Sequence, residues 1–175
     1  MIASEFPMAA VGHTLPIALP SSEPALLLSL WTSFVFDYVA RQKVGGTHMT
    51  YGYLTQLATV LPGTPPPWLG ASLEWFVSRA RFLQSSRSWL TECREDARAE
   101  LDAAYFHLFG VARGDVGYIM DTFPIVKRKD EAAFGSYRTK ELIVEAFDAM
   151  QTAIDTGVPY ASPLDSELSA SEPGF

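Results

Sequence analysis

Ser21-Ser-Glu-Pro-Ala-Leu-Leu-Leu-Ser-Leu-Trp-Thr-Ser-Phe-Val-Phe-Asp-Tyr-Val-Ala40 is the stretch that decides the fold. It opens with capping hydroxyls, an acid and Pro24, a set that suits a helix start because the first-turn amides have no intrahelical partner to lose. From Ala25 to Ala40 the run carries Leu26, Leu27, Leu28, Leu30, Trp31, Phe34, Val35, Phe36 and Val39. These fall on nearly every face of a helical wheel. A helix that is apolar all round is buried, so the sequence predicts one central helix over 25–40, closed by Gly45-Gly46.

Outward from that helix, the N-terminal side (Ile2 to Leu19) scatters apolar residues among Pro7, Gly12 and Pro16, which predicts short strands joined by turns. On the C-terminal side, Tyr51 to Leu61 reads as a strand or short helix. Pro62-Gly-Thr-Pro-Pro-Pro67 removes backbone donors and predicts an extended spacer. Beyond it the period turns helical: Leu73, Phe76, Val77, Ala80 and Leu83, then Leu90, Ala97, Leu101, Tyr105 and Leu108, the latter ending at Gly110. A short helix is expected around Asp115 to Met120. A last helix, capped by Thr139, aligns Leu142, Ile143, Ala146, Phe147, Met150 and Ile154. After Asp155 the Ser, Pro and acidic residues read as a disordered tail. The expected class is therefore α+β and mostly helical: a small strand-and-helix part over 1–62, a Pro-rich linker over 63–70, a helical unit over 71–155 and an acidic tail over 156–175.

The 175 residues are 48% hydrophobic and 13% aromatic, too apolar for a disordered chain. A net charge of -7 argues against a freestanding nucleic-acid binder. The acids, however, are spread over helical faces and the tail, whereas the cations are local. A single cysteine, Cys93, excludes an internal disulfide framework and fits a reducing compartment. No stretch has the roughly 18 consecutive apolar residues of a membrane span, and M-I-A-S-E-F-P does not read as a cationic leader. A cytoplasmic location is the expectation.

Two blocks carry concentrated cations. In the first, F-V-F-D-Y-V-A-R-Q-K-V-G-G-T-H-M-T-Y-G-Y over 34–53, Arg41, Lys43, Thr47 and His48 supply donors around Gly45 and Gly46. Glycines there would let a phosphate approach the backbone closely. Equally, the cations would complement the negative end of the preceding helix, with the glycines as its cap. In the second, D-T-F-P-I-V-K-R-K-D-E-A-A-F-G-S-Y-R-T-K over 121–140, Lys127, Arg128 and Lys129 read as a basic loop, joined by Arg138 and Lys140. A solvated face is the competing reading, since Asp130 and Glu131 follow at once. So is a clamp onto another protein domain.

Together the two blocks resemble the C-terminal end of large adenine-N6 DNA methyltransferases of restriction-modification type, the group that includes the methylases of BREX and DISARM phage-defence systems. The resemblance runs over most of Ile2 to Ile154 in matching order. It implies that 1–62 is the end of a target-recognition domain and that double-stranded DNA is the partner. Arg41, Lys43, Gly45, Gly46, Thr47, His48, Lys127, Arg128, Lys129, Arg138 and Lys140 are then the candidate DNA contacts. It further implies that S-adenosylmethionine belongs to a catalytic domain outside this chain. The residues agree with that last point. Pro65-Pro-Pro-Trp68 has proline where the D/N/S-P-P-Y/F/W motif needs a hydrogen-bond acceptor for the adenine amino group. No G-x-G loop follows a predicted strand. His13, His48, His107 and Cys93 lack metal-ligand spacing, and no serine nucleophile motif occurs. No residue here is expected to do chemistry and no cofactor is expected in this chain. The strand-like opening at Met1, as if mid-domain, favours a fragment that recognises and positions DNA; an interaction module or an inactive truncated product is the alternative.

Overall fold

The computed structural model describes residue 18 and residues 23–46, 49–60, 66–70, 72–85 and 91–165. Every regular element among them is helical: α1 (Pro24–Thr32), α2 (Phe34–Lys43), α3 (Tyr51–Leu54), a 3-10 turn (Pro67–Leu69), α4 (Glu74–Gln84), α5 (Thr91–Leu108), α6 (Arg113–Asp121), α7 (Pro124–Phe134) and α8 (Arg138–Thr156). The mostly helical expectation holds. No strand occurs among the described residues, and apart from Ala18 the stretch 2–19 that was to supply strands lies outside them.

The predicted central helix is two helices. Ser33 takes an extended conformation (φ -71°, ψ 150°) and ends α1 while starting α2. Its hydroxyl donates to the Leu30 carbonyl at 2.7 Å and accepts from the Phe36 amide at 3.4 Å. A serine side chain that satisfies the orphan groups of two helix ends makes the break favourable, and continuous hydrophobicity conceals it. Burial of this segment is as expected, with Ala25, Leu30, Val35 and Phe36 almost fully enclosed.

α5 and α8 form the most extensive pairing, α1 packs on α4, α4 on α5, and α2 lies against α5 and α6. Alanines at 97, 99, 103 and 104 of α5 are buried, and their small side chains let neighbouring helices approach closely. α8 answers with Ile143, Phe147 and Met150, spaced at four and three residues along one buried face. One hydrophobic cluster runs from Ala25 to Met150, so helices before and after the proline-rich stretch share a core. The start of α8 is Tyr137 rather than Thr139. Thr139 instead gives its amide to Asp130 at 2.7 Å.

Two segments expected to be loose are fastened. Pro66 and Leu69 are buried, and Trp68 lies 5.3 Å from the His107 ring, so the described end of the linker is docked rather than a free spacer. Residues 157–165, read from composition as disordered, turn back after Gly157 (φ 72°) and bind the helices. The Tyr160 amide donates to the Trp68 carbonyl at 2.8 Å, and Leu164 is buried against Phe82 and Ala97. What composition does not reveal is a buried acceptor for that segment. Glu100 of α5 accepts from the Tyr160 and Ser162 hydroxyls at 2.9 and 2.5 Å. The rest of the expected linker and tail, 61–65 and 166–175, lies outside the described residues. Among the described residues no helix is long and apolar enough to cross a membrane.

Candidate nucleic-acid interface

The first cationic block sits at the C-terminal end of α2. Arg41 pairs with Asp37 one turn earlier at 2.9 Å, and its guanidinium also lies over the Phe123 ring, 4.7 Å from the centroid. Lys43 is exposed in the last turn, where a cation complements the helix dipole. The cap is Val44, whose amide bonds the Ala40 carbonyl at 2.9 Å. Gly45 and Gly46 are therefore not the left-handed cap that the sequence suggested, and neither has a positive φ. A Cβ added at either would meet no atom within 4 Å, so the packing of the chain itself does not require glycine there. Thr47 and His48 lie outside the described residues.

The second block is a helix, not a loop. Pro124 occupies the first turn of α7 and Gly135 (φ 78°) closes it, the pairing of proline inside the start and glycine just past the end that stops a helix at both ends. Lys127, Arg128 and Lys129 stand in its middle. α7 buries no residue: Val126, Lys127 and Asp130 are half-buried toward the body, and Ile125, Arg128, Lys129 and Ala132 are exposed. The two acids that follow the cations are turned to other uses. Asp130 accepts from the Thr139 amide at the start of α8, and Glu131 lies 4.0 Å from Lys127. Arg128 and Lys129 have no ion pair among the described residues.

Phe123 joins the blocks. It immediately precedes α7, is buried, carries Arg41 on one face, and meets the Phe34 ring edge-on at 4.8 Å. Its carbonyl accepts from the Lys127 amide at 3.1 Å, so the basic run begins one helical turn from the ring that supports Arg41. Residues more than eighty positions apart in sequence thus come to one side of the fold. Arg138 and Lys140 are less available: Arg138 pairs with Glu95 at 2.8 Å and lies over Phe134, and Lys140 pairs with Asp121 at 2.9 Å.

Asp102 fixes the direction of α2. It is buried on α5 and accepts from the Phe34 amide, in the first turn of α2, at 2.6 Å. Burial pushes its carboxyl up to about 7, against the pull of the Arg98 charge and the Phe34 amide. A cleft of about 440 Å³ opens beside it, between α1, α4 and α5. The hydroxyls there are engaged with their own helix: Ser29, Thr32 and Ser33 donate to the Leu26, Leu28 and Leu30 carbonyls at 2.8, 2.9 and 2.7 Å. Arg79 and Glu100 saturate each other and their neighbours in the same way. His107 stacks on Phe147 at 3.8 Å and bonds its carbonyl at 3.0 Å; burial pushes its imidazole below the usual range. Among the described residues no group of three or more His, Cys, Asp or Glu could hold a metal ion.

Comparison with protein families, with curated proteins and with solved structures gives no match. What sequence reading missed is Phe123 as the joint between the blocks and the helical state of 124–134. Pro124 and Gly135 are the signals that could have found the helix; nothing in the sequence marks the Arg41 contact.

Proposed function

We propose that this chain positions double-stranded DNA for an adenine-N6 DNA methyltransferase of the restriction-modification or phage-defence kind, with methyl transfer and S-adenosylmethionine binding left to a catalytic domain outside it. One observation carries the DNA contact: the α2 terminus and α7 meet through Phe123, and the exposed Arg128 and Lys129 of α7 have no ion pair among the described residues. Two such cations side by side on one helix favour a polyanion over a compact acid. The open space before Gly45 and Gly46 supports the same reading, since it leaves the backbone approachable. The methyltransferase assignment rests on the resemblance of the two sequence blocks.

The test is the salt dependence of binding of this chain to a random-sequence duplex, followed by fluorescence anisotropy. Substituting Arg128 and Lys129 by Ala should weaken binding about equally on all sequences and lower the slope of log affinity against log salt by about 1.8, at about 0.9 per lost phosphate contact. An unchanged slope, with helix content intact, would refute the contact and leave a protein-docking role for this surface.

A further inference from the structure

We propose that α7 is a reading helix that enters the DNA major groove, with Ile125 packing on thymine methyl groups while Arg128 and Lys129 hold the flanking phosphates. The inference rests on the DNA reading above and goes further, because a phosphate-binding surface needs no apolar residue at its centre. At 100° per residue, Ile125, Arg128, Lys129 and Ala132 lie within about 100° of one another on one strip of the helix. All four are exposed, and Ile125 is 59% exposed. The residues that dock α7 to the body, Val126 against the core and Asp130 on the Thr139 amide, occupy the opposite side. The outward strip is therefore an isoleucine and an alanine edged by two cations that have no ion pair among the described residues.

Charge and shape choose the occupant. A solvated helix face gains nothing from a β-branched apolar side chain at its centre, and an apolar protein groove would leave the two cations desolvated without partners. A major groove supplies both environments: it is about 12 Å wide and admits one α-helix, phosphates line its edges, and thymine presents an apolar methyl on its floor. Because α7 buries no side chain, its outward strip can enter a groove without dismantling the core.

The experiment measures binding of the full chain to a duplex of alternating dA and dT, and to the same duplex with deoxyuridine in place of thymidine, which removes only the groove methyls. The wild-type chain should bind the thymidine duplex roughly fourfold more tightly, the value of burying about one methyl group. I125A should bring that ratio to about one and leave the salt slope unchanged, whereas R128A/K129A should lower the slope and leave the ratio. Since Ile125 is exposed, I125A should unfold at the wild-type denaturant concentration, which separates a lost contact from a lost fold. A wild-type ratio of one together with salt-dependent binding would overturn the groove reading while the phosphate contact survives. Absence of salt-dependent binding to either duplex would overturn both and leave Ile125 as a protein contact.

Discussion

Replacing Arg79 by Met should be among the most destabilising single changes in this chain. Arg79 is 1% exposed, and its guanidinium donates to Glu100 at 2.5 Å, to the Trp75 carbonyl at 3.2 Å and to Asp165 at 2.9 Å, while lying 3.9 Å from the Trp75 ring centroid. Glu100, 3% exposed, spends its second oxygen on the Tyr160 and Ser162 hydroxyls. Methionine keeps much of the volume but leaves Glu100 a buried carboxylate with hydroxyl donors alone. Removing one partner of such a pair costs about 3 to 5 kcal/mol. That is a large share of the ~5 to 15 kcal/mol that holds a domain together, so the variant should unfold at a much lower urea concentration than the wild type. E100L should also destabilise, though less, because the buried guanidinium keeps only Asp165 and the Trp75 carbonyl. The double variant R79M/E100L should cost less than the sum by about 3 kcal/mol, because no buried charge is left unpaired and Asp165, which also loses Arg79, is half exposed to water. Urea unfolding followed by tryptophan fluorescence gives the three values. Hydrogen exchange at the Tyr160 amide, bonded to Trp68, should quicken in the single variants as residues 157–165 come away from α5. Single variants costing under about 1 kcal/mol, or costs that add to within about 0.5 kcal/mol, would refute the account of a buried, mutually dependent pair.

Asp102 gives a pH signature. Its carboxyl is held up to about 7 in the fold against 3.8 for the free group, so between those values the native state holds a proton that the unfolded chain has lost. Its contribution to stability is full at low pH and fades as pH rises through about 7. Wild-type stability relative to Asp102→Asn should grow by about 2 to 3 kcal/mol from pH 8 to pH 5 in denaturant titrations, at ~1.4 kcal/mol per unit. Depressed His107 works the other way and cancels in the difference. A difference flat with pH would mean that Asp102 stays ionised against the Phe34 amide. Phe36→Ala should cost about 3 to 5 kcal/mol in the same assay, since that ring is 1% exposed. Phe34→Ala should cost about 1 to 2 kcal/mol, because Phe34 is half-buried and rests chiefly on Phe123; equal costs would contradict the split of this segment at Ser33.

The helical class and the burial of the Ala25 to Ala40 segment were legible because they depend on local period and bulk hydrophobicity. α4, α5, α6 and α8 lie where their apolar spacing put them for the same reason. The break at Ser33 was not legible, since a serine inside an apolar run reads as a tolerated helix residue until its hydroxyl is seen serving two helix ends. The docking of residues 157–165 escaped for a related cause. Their composition is polar and proline-bearing, and the partner that orders them is a buried carboxylate some sixty positions earlier.

The candidate interface shows where charge reading from sequence stops. Counting cations gives five between Lys127 and Lys140, but the fold divides them by geometry. Arg138 and Lys140 are spent on Glu95 and Asp121, Lys127 leans toward Glu131, and Arg128 and Lys129 face outward with no ion pair among the described residues. Asp130, which adjacency would count against the run, caps α8 instead. Along α7 three cations stand against two acids, and the exposed strip that holds Arg128 and Lys129 contains neither acid. The quantity that governs contact with a polyanion is the local, unpaired charge within about a Debye length of about 8 to 10 Å, rather than the net -7 of the chain. An acidic protein can therefore carry a locally basic strip on one helix, as the α7 strip of Arg128 and Lys129 does here while Glu95 and Asp121 pair with Arg138 and Lys140.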